Sequence, residues 1–214
     1  YDDKGKNIGD SGHGTHVAGT VAAVSNNGVG VSGIAGGTGR NDGVKLMSCQ
    51  IFSGGEGGSA AVSAEAIKYA ADNGASILQC SWGYPAGAVT TDNAYASGAR
   101  IEKQAIDYFI ATKNNAVLDG GLVIFAAGND AKAMSGYPGA YRDYISVTAF
   151  SPDYLPAYYT NYGPGCNVAA PGGDASISPA GTSAAQVLST LPSELPAELG
   201  TDGADYGYMQ GTSM

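Results

Sequence analysis

The chain has 214 residues, enough for one α/β domain with a sizeable core, and 43% of them are aliphatic or aromatic, which excludes a disordered chain. The formal net charge is −9 with only 14% charged residues, so nucleic acid is an unfavourable partner. No apolar run approaches the length of a bilayer span, and Cys49, Cys80 and Cys166 follow neither a disulfide framework nor a C-x-x-C zinc spacing.

In chain order, HGTHVAGTVAAV (13–24) reads as an Ala- and Val-rich helix ended by SNNG. VKLMSCQIF (44–52) reads as a strand. SAAVSAEAIKYAADNG (59–74) places Val62, Ala66, Ile67 and Ala70 at helical spacing and stops at Asn73-Gly74. SILQCSW (76–82) is a short buried strand. ARIEKQAIDYFIATKNN (99–115) puts Ile101, Ala105, Ile106, Phe109 and Ile110 on one helical face. LVIFAAGN (122–129) is a continuous apolar run of the kind found in parallel strands buried on both faces. DYISVTAF (143–150) and NVAAP (167–171) predict two more strands. This alternation predicts an α/β fold of three layers, a mostly parallel sheet with helices on both faces. From about Gly172 to Gly207 the sequence turns to Ser, Pro, Gly and Ala, which predicts a long surface excursion.

His13 and His16, the two histidines of the chain, sit in the first turn of the first predicted helix. A metal centre built on them lacks an H-E-x-x-H pattern, a third histidine and a carboxylate cluster at suitable spacing. A metal-dependent hydrolase is therefore the weakest of three readings.

Other segments give the two histidines a context. GHGTHVAG, FAAGND and YMQGTSM resemble, in order, the histidine, oxyanion-asparagine and nucleophile motifs of the subtilisin-like serine proteases, the subtilases. LQCSWGYP resembles the segment lining that family's substrate cleft, and GYPGAY the segment flanking its primary pocket. The resemblance covers essentially the whole chain. It implies a serine endopeptidase that takes polypeptide substrates and needs no cofactor for catalysis. His13 would be the general base and Ser213 the nucleophile that carries the acyl group. Asn129 would be the oxyanion donor together with the Ser213 N–H. His16 matches a second, non-catalytic histidine. Ser81, Trp82 and Gly83 match one edge that pairs with an extended substrate, Gly54 and Gly55 fall near the facing edge, and Ala126, Ala127 and Gly128 match a pocket wall. Gly136 and Gly139 fall near the floor of that pocket. Edge pairing reads backbone, which implies broad specificity. A second G-T-S ends at Ser183, but Ala-Ala-Gln follows it, whereas Met follows Ser213 as in the family.

The family's catalytic aspartate lies tens of residues before its histidine, after a buried strand. Asp10 lies three residues from His13, so it reads as a loop residue, and the triad aspartate is expected outside these 214 residues. The chain is therefore read as a partial catalytic domain, lacking also the helix after Ser213, needing further parent-chain segments and having little activity alone. AVSNNGVGVSG (23–33) resembles the family's calcium loop, with Val24, Asn27, Val29 and Val31 as oxygen ligands of a structural calcium. Export to the cell surface or medium follows from the resemblance alone. The second reading is a protease-like pseudoenzyme or binding scaffold; intact His13, Asn129 and Ser213 speak against it.

Overall fold

The computed structural model describes residues 12–52, 58–114, 116, 118–193 and 205–214. They cluster in two compact units. The first draws on Tyr1–Gly58 and Val187–Met209, the second on Ser59–Gln186 and Gln210–Met214.

The second unit holds a sheet of four parallel strands, β1 (Ile77–Cys80), β2 (Leu122–Ala126), β3 (Ile145–Phe150) and β4 (Val168–Pro171), in that spatial order. Helices α2 (Ala60–Asp72), α3 (Asp92–Gly98) and α4 (Arg100–Ala111) belong to the same unit. The α/β class and the parallel sheet agree with the sequence reading. Helix α2 begins at Ser59, whose side chain accepts the Val62 N–H, and α3 begins at Thr91, which accepts from Ala94 N. Ile67, Ala70 and Ala71 of α2 and Ile106 and Phe109 of α4 form the core with Val123 and Phe125 of β2. Tyr95, Tyr137, Tyr141 and Tyr144 extend it as an aromatic cluster.

The buried face of α4 differs from the periodicity reading. It consists of Glu102, Ala105, Ile106 and Phe109, while Ile101 is half exposed. The face can turn toward Glu102 because Tyr84 and Tyr95 donate their hydroxyls to its carboxylate at 3.2 and 3.1 Å. Burial raises the Glu102 pKa, and the two tyrosine hydroxyls pull it back down.

In the first unit, helix α1 (His13–Ala22) packs on an antiparallel pair, β5 (Val187–Thr190) with β6 (Tyr206–Met209). Ser189 Oγ donates to His16 O at 2.7 Å and Thr190 Oγ1 to Thr15 O at 2.8 Å. Gly19 makes this approach possible, since a Cβ there would overlap the Thr190 and Ser189 hydroxyls. Strand β5 and a 3-10 turn (Ala175–Ile177) lie inside the stretch expected to be an irregular excursion. Asp174 caps that turn by accepting from Ser176 N, and its other oxygen accepts from Tyr158 N.

The strand expected at 44–52 does not form. These residues join no ladder among the described residues, and Val44, Leu46, Met47 and Phe52 are exposed. β-propensity supplies a willing segment, but a strand exists only when a neighbour pairs with its backbone. The cysteines are all free, with Cys80 buried in β1 and its thiol pKa pushed up by burial.

Candidate active site

Parallel strands place their following loops along one edge of the sheet, where α/β proteins build their sites. Ser81 follows β1, and Asn129 follows β2 by three residues. Gly172, next after β4, accepts the Gly211 N–H at 3.0 Å and so ties down the 210–214 segment. Within the second unit this brings together Ser81, Asn129, Thr212 and Ser213.

Asn129 is oriented by Thr212. Its Oδ1 accepts both the Thr212 N–H and the Thr212 hydroxyl, each at 2.9 Å. The backbone N–H can only donate, so the amide oxygen must face it and Nδ2 must point the other way. The Thr212 hydroxyl in turn accepts the Gly128 N–H at 3.2 Å. Neither Nδ2 of Asn129 nor the N–H of Ser213 is given to a described acceptor. Thr212 was not singled out in the sequence, although it is the middle residue of G-T-S.

Ser213 is half-buried. Its hydroxyl donates to Ser81 O at 3.3 Å, and Ser81 Oγ donates to Ser213 O at 2.8 Å. Gly211 opens the turn with φ of +152°, and Met214 N closes it on Gly211 O at 3.2 Å.

The neighbouring predicted residues fall beside this cluster. Trp82 stacks edge-on against Phe125, with ring centroids 5.3 Å apart. The segment after Gly83 is fixed by Tyr84 N donating to Tyr137 O at 2.6 Å. Ala126 ends β2, and Ala127 is buried with its carbonyl accepting the Gly136 N–H at 2.8 Å. A Cβ on Gly136 would meet Tyr84 O, so its bareness lets residue 136 lie close against the Tyr84 backbone. Gly139 packs against Phe125 and Ser146 and serves close packing there. Gly54 and Gly55, like Asp10, lie outside the described residues.

His13 stands in the first unit, as the first residue of α1, after Gly12 with φ of +69°. Burial lowers its pKa, and the neighbouring His16 lowers it further, so the imidazole is neutral at neutral pH. His16 is buried. Its Nε2 lies 3.0 Å from Val187 O and 3.2 Å from Gly207 O, so that nitrogen carries the proton. This agrees with a packing and hydrogen-bonding role for His16.

For the calcium loop, Asn27 Oδ1 accepts the Val29 N–H at 3.0 Å. Among the described residues no backbone N–H donates to the carbonyls of Val24, Val29 or Val31. These four oxygens suit a hard cation in kind but fall short of the six to eight that calcium takes. No group of three or more His, Cys, Asp or Glu among the described residues could hold a metal.

Comparison with known proteins shows the family of the chain. The model of the "Subtilase family" matches residues 1–214. A thermophilic serine proteinase of Bacillus sp. (strain AK1) is 31% identical over 94% of the chain and 39% of its own length. Halolysin of Haloferax mediterranei is 36% identical over 77% of the chain and 27% of its own length. A solved protease of Pseudoalteromonas arctica PAMC 21717 superposes with a TM-score of 0.65 at 31% identity, covering 94% of this chain and 54% of that one. The chain thus spans at most about half the length of these three proteins.

Proposed function

The chain belongs to the subtilase family, and on that premise we propose that it carries the machinery of a serine endopeptidase. The observation that bears most weight is the pair of donors given to no described acceptor, Asn129 Nδ2 and Ser213 N–H, on residues linked through Thr212. Two preoriented N–H groups are what a developing oxyanion needs, because they act without reorganising during the reaction.

In the proposed reaction, Ser213 Oγ leaves its long bond to Ser81 O and attacks the carbonyl carbon of the scissile peptide. His13 takes the hydroxyl proton as the C–O bond forms, and the carbonyl oxygen becomes an oxyanion held by the two donors. The C–N bond then breaks, and His13 returns the proton to the leaving amine. Water, deprotonated by the same imidazole, releases the acyl group from Ser213. A His13 pKa lowered by burial favours the neutral base that the first step requires. Ser81, Trp82 and Gly83 would pair with the extended substrate, and the small residues Ala126, Ala127 and Gly128 would wall an uncharged primary pocket.

The triad carboxylate is not assigned within these 214 residues. The isolated chain is accordingly proposed to turn over slowly, its imidazole lacking that orienting group. Structural calcium at Val24, Asn27, Val29 and Val31 is proposed with further ligands from outside this loop. It would tie the loop after α1 and has no part in the chemistry. Export belongs to the same reading; among the described residues no helix is long and apolar enough to cross a membrane.

The test is hydrolysis of extended peptide substrates by the full-length protein that contains this chain. Internal cleavage that is lost in Ser213→Ala is the expected result. A purified, folded full-length protein that binds such peptides without cleaving them would instead establish a binding scaffold.

A further inference from the structure

Asn161 lies between β3 and β4, remote in sequence from every motif residue, and is fully buried. A buried primary amide must satisfy two donors and an oxygen acceptor. All of Asn161's side-chain bonds, and its N–H, go to one loop, the one that carries Asn129. Nδ2 donates to Ala127 O at 2.8 Å and to Asp130 Oδ2 at 3.3 Å. Oδ1 accepts from Asp130 N at 3.0 Å and from Lys132 N at 3.1 Å. The Asn161 N–H donates to Gly128 O at 3.0 Å.

These contacts bracket Asn129 on both sides and leave Asn129 itself untouched. Gly128 shows how closely the loop is shaped to Asn161. Its φ is +103°, and a Cβ there would overlap Asn161 Nδ2. Two flanking backbone bonds, Ala131 N to Tyr159 O at 2.9 Å and Tyr162 N to Lys132 O at 3.0 Å, hold the two segments in register. The oxyanion donor is thus held from two directions. Thr212 orients the Asn129 side chain, and Asn161 fixes the backbone that the side chain grows from.

We propose that Asn161 is a positioning residue for transition-state stabilisation, acting through Asn129 and not through contact with substrate. The proposal rests on the serine-endopeptidase reading. A donor aimed at charge that develops only in the transition state affects kcat far more than KM. Small displacements of such a group cost as much as about 100-fold in rate.

The experiment is a double-mutant cycle in the full-length protein, with active enzyme counted by phosphonate titration so that misfolded molecules drop out. Asn161→Asp keeps the shape and the two acceptor contacts. It loses the donor to Ala127 O and places a carboxylate against Asp130. Asn161→Ala removes every side-chain bond. Each is expected to lower kcat roughly 10- to 100-fold with KM changed less than about threefold. In an Asn129→Ala background, the same substitutions are expected to change kcat less than about threefold, because the group they act through is gone. A residue with only a structural role would cost the same factor in both backgrounds, and that result would overturn the proposal. Unchanged kcat in both single variants would overturn it as well. If Asn129→Ala alone leaves kcat intact, the oxyanion reading of the site fails first and this inference falls with it.

Discussion

Thr212 and Asn129 share three polar atoms in a fixed order. The Gly128 N–H donates to the Thr212 hydroxyl, which donates to Asn129 Oδ1, which also accepts the Thr212 N–H. Removing the amide donor by Asn129→Ala should lower kcat by about 10² to 10³ with little change in KM; that magnitude is the one found in subtilisin, a member of this family, on loss of its oxyanion asparagine. Thr212→Val should cost roughly 10-fold, since the backbone N–H still holds Oδ1 while the hydroxyl bond is gone, and Thr212→Ser should restore most of it. Steady-state kinetics on an extended peptide checks both. The role proposed for the amide comes from the resemblance of FAAGND. The contacts of Thr212 and Asn161 with this loop were not legible in the sequence, because they are hydrogen bonds to residues 29 to 84 positions away along the chain.

At the scale of elements, the contact between α1 and β5 is set by one missing side chain. Gly19→Ala would put a methyl group where the Thr190 hydroxyl reaches Thr15 O and the Ser189 hydroxyl reaches His16 O. A destabilisation of about 1–3 kcal/mol is expected, read as a lower unfolding midpoint in denaturant. Wild-type stability on replacement would contradict the packing described. Helices α1, α2 and α4 and strands β1 to β4 were legible because each carries its own apolar periodicity or run. The short helix α3 was not, since seven residues of DNAYASG show little periodicity and are announced mainly by the Thr91 cap. Strand β5 was hidden in a Ser-, Pro- and Ala-rich stretch. Its Ser189 is buried because the hydroxyl satisfies a helix carbonyl, which composition does not reveal. The reverse error at 44–52 has the same origin: an apolar run predicts a strand, but pairing depends on a neighbour elsewhere in the chain.

At the scale of the molecule, two buried titratable groups set opposite limits on stability. The Glu102 pKa is raised from its ordinary 4.5, chiefly by burial. The unfolded chain therefore ionises first as pH rises. The stability contributed by this group is complete below about pH 4.5 and declines as pH climbs through the folded value. The His16 pKa is lowered from 6.5, again chiefly by burial, against the pull of the Val187 and Gly207 carbonyls. Here the unfolded chain binds the proton first as pH falls. Stability is complete above about pH 6.5 and declines as pH drops toward the folded value. Trp82, the single tryptophan, belongs to the second unit together with Glu102 and reports on that unit's unfolding. Its fluorescence midpoint should lose the decline above pH 4.5 in Glu102→Gln, and an unchanged pH profile would contradict a raised carboxyl pKa.

Central to the proposed reaction is the Ser213 hydroxyl, activated by the His13 imidazole. Treatment of the full-length protein with a serine-directed fluorophosphonate, followed by peptide mass mapping, tests that directly. The account predicts a single adduct on Ser213, formed at least about 100-fold more slowly in His13→Ala. An adduct on Ser183, or labelling of Ser213 at the same rate without His13, would contradict it.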